Sequence, residues 1–341
     1  MKRLGVLACI FLGGILVHPS RDQATLVPTL DLEMLASQAD LVAVGRVTDI
    51  HGEGGTTFDI NGTSVEGHTI RARLEVERIL KGSESTESLT FSFSLPDAPE
   101  GYGGIGEGQF GVFFLHNGSR GWEILDPYHP FVVAAPGAHL VSGKLSDQVV
   151  AEVAQVFNSP SATADSCLRA VLVLNTVSTE GAITGLKRAS RDPDVGTQCY
   201  ALGALLRRND ISVLDTAAQL MLSKDPEISG DCKATIASGL RFGFKDPSAV
   251  PTLARLLQLD DVEVRRGAAA ALRNSGSAAA IEPLAKWGLQ DSDEAVQYEA
   301  IIGLAELTAE NGEWAPAFGP FHNDPQRYLN HWREWAQGQG R

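Results

Sequence analysis

Two hydrophobic periods divide the chain. From Ala39 to about Ala135 apolar residues alternate with polar ones. Ile70, Ala72, Leu74 and Val76 interleave with Arg71, Arg73, Glu75 and Glu77; Leu89, Phe91, Phe93 and Leu95 interleave with Ser88, Thr90, Ser92 and Ser94. Further runs begin at Val42 and Val44 and at Phe110, Val112 and Phe114, and Trp122 and Ile124 follow a turn placed at Asn117-Gly118. A period of two puts one face of each run in a core, so five or six short antiparallel strands are expected, as a small barrel or sandwich. The stretches Gly52–Gly67 and Gly101–Gly108 read as loops or a hairpin tip.

From 161 to 309 the period becomes helical and the composition turns to Ala and Leu. The segment Val264–Leu272 aligns with Val296–Leu304 at a spacing of 32 residues, and Ala249-Val250 with Leu253-Ala254 aligns with Ala280-Ile281 and Leu284-Ala285 at 31. Asp192-Pro193 and Asp225-Pro226 occupy equivalent turn-then-helix positions, where Asp is expected to cap and Pro to open a helix. Four two-helix repeats and a partial leading unit are predicted, stacked as an α-solenoid. Cys167, Cys199 and Cys232 share one repeat position with Ala268 and Ala300. Small residues at a single position suggest tight packing between helices, in preference to a disulfide or a metal site, because packed helices normally sit about 8–10 Å apart. After the array, Trp314, Phe318 and Phe321 precede Tyr328, Leu329, Trp332 and Trp335, which fall on one side of a helix entered by Asp324-Pro325. An aromatic cap over the last repeat is the expected role, ahead of a ligand groove.

Two resemblances follow from these segments. Ala39–Val47, Val76–Gly82 and Gly108–Leu115 resemble, in order, the netrin-like, OB-type β module of metalloproteinase inhibitors and of exported bacterial proteins. The inhibitors act through an N-terminal Cys, and this chain has no Cys between residues 10 and 166, so a fold is implied and that mechanism is not. The pattern Asp261-x-x-Val264-Arg265-x-x-Ala268-x-x-Ala271-Leu272 is similar to the HEAT-like repeats of the phycobilisome-lyase type. The fold class expected is therefore multi-domain β + α: a signal peptide or short anchor over 1–24, a β module over 30–145, a HEAT-like α-solenoid over 161–310 and an aromatic cap over 311–341.

Lys2-Arg3 followed by the apolar run Leu4–Val17 reads as a secretory address, too short for an ordinary membrane span of about 20 residues. An exported, periplasmic or secreted protein is expected, with any membrane tether confined to that segment. Charge sharpens the choice of partner. The chain carries a formal net charge of −14, and residues 25–150 hold 7 bases against 17 acids. Nucleic acid, which selects clustered Lys and Arg, is not expected as a partner.

Enzyme signatures are sparse. HEAT-like repeats serve phycobilin lyases and, through His-Glu dipeptides, deoxyhypusine hydroxylases; this chain has no His-Glu pair and no His from 140 to 321. Gly106-Glu107-Gly108-Gln109-Phe110-Gly111 matches a dinucleotide-binding string but leads into a strand, not a helix, so the phosphate-binding context is missing. His116, His129 and His139, with Asp126, are candidates for a weak site in the β module. No cofactor or metal is implied. Non-catalytic protein binding is expected, on the concave face built by the second helix of each repeat, with Arg265, Arg266, Gln297 and Tyr298 as its exposed positions. The alternatives are a metal-dependent or hydrolytic enzyme, or a protease inhibitor, acting through the β-module loops.

Overall fold

The computed structural model describes residues 29–339, apart from 61–62, 85, 98–103, 138–140, 243 and 311. The N-terminal address, Cys9 and His139 fall outside the described residues, as does the start of the Gly101–Gly108 loop.

A short helix, α1 (Leu32–Gln38), is capped by Asp31, whose carboxylate accepts from the Met34 N–H. Six strands follow: β1 (Leu41–Ile60), β2 (Thr63–Lys81), β3 (Ser88–Pro96), β4 (Phe110–Gly118), β5 (Gly121–Ile124) and β6 (Val132–Val133). Their order in the sheet is β1-β2-β3-β5-β4-β6, and β1 also pairs with β4. The sheet is mixed, because β3 and β5 run parallel where a wholly antiparallel set was expected. The turn expected at Asn117-Gly118 lies two residues later: Gly118 pairs with Gly121 across Ser119-Arg120, and Gly121 takes a φ of +98°. The Gly52–Gly67 stretch is the far part of the β1–β2 hairpin, the second of the two expectations, and is paired from Gly52↔Ile70 to Ile60↔Thr63 with one register shift between Gly52 and Gly54.

Strands β1 and β4 lack clean alternation because both of their faces are buried. Leu41, Ala43, Phe113 and Leu115 point into a core with Ala72, Leu74, Phe91 and Ile124. The intervening Val42, Val44, Val112 and Phe114 join a second core with α1 and the helices that follow. Double burial explains the uninterrupted apolar runs, which are ordinarily the mark of interior strands. Polar ties close the same seam. Arg78 of β2 pairs with Glu152, whose side chain is 2% exposed, Ser146 donates to Glu33 at 2.7 Å, and Lys81 Nζ donates to the Ala36 and Ser37 carbonyls.

The helical part comprises α2 (Leu145–Ala154), α3 (Ala164–Asn175), α4 (Glu180–Ala189), α5 (Val195–Arg207), α6 (Leu214–Leu222), α7 (Gly230–Leu240), α8 (Val250–Leu256), α9 (Val262–Asn274), α10 (Ile281–Lys286) and α11 (Glu294–Thr308). From α4 onward the helices pair as α4–α5, α6–α7, α8–α9 and α10–α11. The second members, with α3, stack on one another as an inner row, whereas the first members are mostly shorter and touch their counterparts less. Asp192 and Asp225 do not cap helices. Each accepts an N–H two residues on, at Asp194 and Glu227, forming the turn before the helix, and Asp194 and Ser229 supply the caps. Two last helices, α12 (Phe318–Asn323) and α13 (Pro325–Gln339), bury Phe321, Tyr328, Leu329 and Trp332 against the array; Trp332 Nε1 donates to the Trp314 carbonyl at 2.9 Å.

The packing reading of the cysteines is corrected at two of the three positions. Cys199 and Cys232 form a disulfide with their Cα atoms 5.5 Å apart, and Cys167 is a buried free thiol. The usual helix spacing is measured between axes, and facing Cα atoms lie about 4.6 Å closer than that, within disulfide reach; α5 and α7 are also packed tightly. A Cβ placed on Gly239 would lie 2.4 Å from the Gly203 carbonyl oxygen, and one on Gly203 would lie 2.7 Å from that of Thr235. Backbone meets backbone there, and the cysteines one to two turns away come into bonding reach. Burial, with Asp192 beside it, pushes the Cys167 thiol up to about 11, leaving it protonated and unreactive at neutral pH.

A chain of residues 29–341 should therefore titrate one thiol per molecule in denaturant without reductant, and three after reduction. The Cys199→Ser, Cys232→Ser double variant should lose about 4 kcal/mol in urea unfolding, the scale expected for opening a 33-residue loop.

Candidate functional site

The inner row offers one surface shared by successive repeats. Its close spacing comes from small residues: Gly203 and Gly239 between α5 and α7, and Gly267 of α9, whose added Cβ would lie 2.5 Å from the Ala237 carbonyl oxygen. Between α7, α9 and α11 the row opens into a cavity of about 340 Å³, lined by Arg241, Arg266, Arg273, Asn274 and Glu299 over the small side chains of Ala270 and Ala295.

Each arginine of this groove is held. Arg266 Nη2 lies 2.7 Å from Asp293 and Nη1 2.7 Å from Glu263. Arg241 reaches Glu263 at 2.6 Å. Arg273 bridges Glu306 at 2.6 Å and Glu299 at 3.2 Å. The hydrogen bond to Asp293 comes first in raising the Arg266 pKa, and the bond to Glu306 does the same for Arg273. In return the Arg266 guanidinium holds the Asp293 carboxyl below the usual carboxylate range, against its partial burial. Positive groups thus stand over small residues in a file of alternating charge.

Beside the groove, the same row exposes aromatic surface. Phe242, immediately after Arg241, is 62% exposed, and the Arg207 guanidinium lies 5.3 Å from its ring centroid. Tyr200, also exposed, precedes Arg207 by seven residues and so shares its face of α5. These aromatics and Arg207, Arg241 and Arg273 escape a reading of the repeat motif, which draws the eye to the start of each second helix. The available signal is at the other end: Arg208, Arg241 and Asn274 recur every 33 residues at the helix C-termini. Arg208 donates there to the carbonyls of Leu174, Asn175 and Val177, and Asn274 to that of Arg241.

The four positions expected to be exposed are instead engaged within the chain. Arg265 is 14% exposed; it clamps Asp291, 6% exposed, at 2.7 Å and donates to the Leu259 and Asp260 carbonyls. Gln297 donates to the Asp291 carbonyl. Tyr298 donates to the Pro316 carbonyl and packs edge-on against Phe318, 5.2 Å between centroids. Only Arg266 lines the groove. The repeat motif places Arg265 beside the turn to the next repeat, so its hydrogen-bonding capacity ties the repeats together. In the sheet part, His129 Nδ1 lies 2.8 Å from Asp126, while His116 Nε2 stands 4.0 Å from Glu123. Among the described residues no group of three or more His, Cys, Asp or Glu could hold a metal, and no helix is long and apolar enough to cross a membrane.

Comparison with known proteins adds a family match over part of the chain. Residues 228–305, from the approach to α7 through α11, match the HEAT repeats family. No curated protein matches. Fourteen chains of solved structures match; one is human deoxyhypusine hydroxylase in complex with glycerol, 14% identical, covering 56% of this chain and 96% of that one, with a TM-score of 0.28.

Two outcomes separate structural from surface roles here. Arg265→Ala leaves the buried Asp291 carboxylate without its counter-ion, held only by the Asp293 N–H, and two carbonyls without their donor, and should cost about 3 kcal/mol in unfolding; Arg266→Ala, on a partly solvated pair, should cost about 1 kcal/mol or less. Asp293→Asn should destabilise the protein at pH 7. Because folding depresses the Asp293 pKa, that difference should persist down to the unfolded value of about 3.9 and close as pH falls through the folded one, as followed by thermal unfolding across pH.

Proposed function

We propose that the chain is a non-catalytic protein-binding scaffold acting outside the cytoplasm, with the inner helix row as its docking face. The observation that carries this reading is the run of exposed aromatic and arginine side chains along that row: Tyr200, Arg207 and Phe242 beside the groove of Arg241, Arg266 and Arg273. Aromatic residues and arginine are the types that dominate binding energy when a partner dries them. HEAT repeats are widely used as interaction modules, and the matched segment contains most of this groove. Location outside the cytoplasm is supported by the Cys199–Cys232 bond, since disulfides persist in oxidising compartments, and by the basic-then-apolar start of the sequence. For the sheet part, the circuit of pairings β1–β2–β3–β5–β4–β1 supports a small closed barrel of the netrin-like, OB type.

Photo-crosslinking amino acids placed at Phe242 and at Ala270 should give the same discrete adduct in the native compartment, and one at Gln219 on the outer helix α6 should not. Phe242→Ala should weaken capture about tenfold without lowering the unfolding midpoint. Equal labelling from Gln219, or capture indifferent to Phe242, would refute the inner-row assignment.

A further inference from the structure

A second concavity lies where the sheet meets the helices, remote from the groove above. It has a volume of about 280 Å³, and its walls come from both parts of the chain: Arg46, Phe110 and Phe131 on the sheet side, Val156, Ser161 and Arg169 on the helical side. That volume is at the lower end of ligand pockets, roughly 300–1,000 Å³, and clefts between structural units are common binding positions.

Its chemistry is that of an anchor for one anion with a small apolar body. Arg46 lies at the last paired position of β1 with β4. Its guanidinium stands 5.4 Å from the Phe110 ring centroid, and one N–H donates to the Gly108 carbonyl at 2.7 Å. Among the described residues no carboxylate comes within ion-pair distance of it, in a sheet region rich in acids. A positioned guanidinium with N–H groups to spare is suited to a carboxylate, which it meets with two parallel hydrogen bonds. Across the cleft, Arg169 is paired with Asp165 at 2.8 Å, and the Asp165 carboxylate also lines the cleft, so among the described residues Arg46 is its one cation without a carboxylate partner. The Ser159 and Ser161 hydroxyls are 2.9 Å apart; one donates to the other, so one O–H is left to donate outward. Phe131, Val133, Ala134 and Val156 provide the apolar floor.

We propose that this cleft binds a carboxylate carried on a short apolar body, as presented by the C-terminal residue of a peptide or by a free acylated amino acid, with Arg46 as the anion anchor. The ligand would touch both the sheet and the first turns of the helical array, and its binding would stiffen the junction between them.

Calorimetry on the full chain with N-acetyl-L-leucine, N-acetyl-L-leucinamide and the peptide Gly-Gly-Gly-Leu in acid and amide forms tests this. The acids should bind at least about tenfold more tightly than the matching amides. Arg46→Gln should remove that preference while leaving the unfolding midpoint unchanged, because the side chain is exposed. Ser161→Phe, which fills the mouth, should abolish binding of both forms. Tighter binding of the peptide acid would identify a chain end as the source, and equal or tighter binding of N-acetyl-L-leucine a free acid. Equal affinity for acid and amide, a preference that survives Arg46→Gln, or no binding of any probe up to about 10 mM would overturn the proposal.

Discussion

The architecture depends on how closely the inner helices approach one another. Gly203 and Gly239 let α5 and α7 meet backbone to backbone, and Gly267 does the same for α9 against α7. Helices bearing larger residues would separate, and the features built on that spacing would go with them. The Cys199–Cys232 bond needs its Cα atoms at 5.5 Å. The ion-pair file from Arg241 through Arg266 to Arg273 needs each guanidinium within reach of acids on the following helix. The inner row is therefore a spine, and the groove on it is pre-formed.

The spine is anchored at its first end by the sheet. Strands β1 and β4 are buried twice, once in their own core and once against α1 and the helices. The Arg78–Glu152 pair fixes the same seam; a carboxylate this buried would be costly without its guanidinium. At the far end α12 and α13 cover the apolar side of the last repeat with Phe321 and Trp332. Both ends of the apolar stack are thus closed, as a linear array requires; the exposed Tyr200 and Phe242 lie by α5 and α7, and the exposed Phe318 lies on α12.

Much of this was legible in the residues. Alternation located the strands β2 and β3, whose outward residues are polar, and a spacing of 32 located α9 and α11. Where the sequence misled, a tertiary contact decided. Alternation does not encode which strands pair, so the parallel β3–β5 pairing was invisible. The disulfide is hidden when the spacing between helix axes is taken for the distance between Cα atoms, which is shorter by about 4.6 Å, and the glycines that tighten this contact are present in the sequence. Arg265 looked like a surface residue from its place beside Val264, because nothing local reveals that Asp291 and two carbonyls wait for it across the next turn. Phe242 falls just after α7, outside the segments that align at 31 and 32 residues, and carries no repeat signal.

Amide hydrogen exchange on the full chain tests most directly whether the inner row is the spine. With the inner row as the spine, α5, α7, α9 and α11 should exchange slowest and lose protection together, α6, α8 and α10 should open earlier, and reducing the disulfide should lower protection first in α5 and α7. Equal protection in both rows, or an outer row that outlasts the inner one, would contradict it.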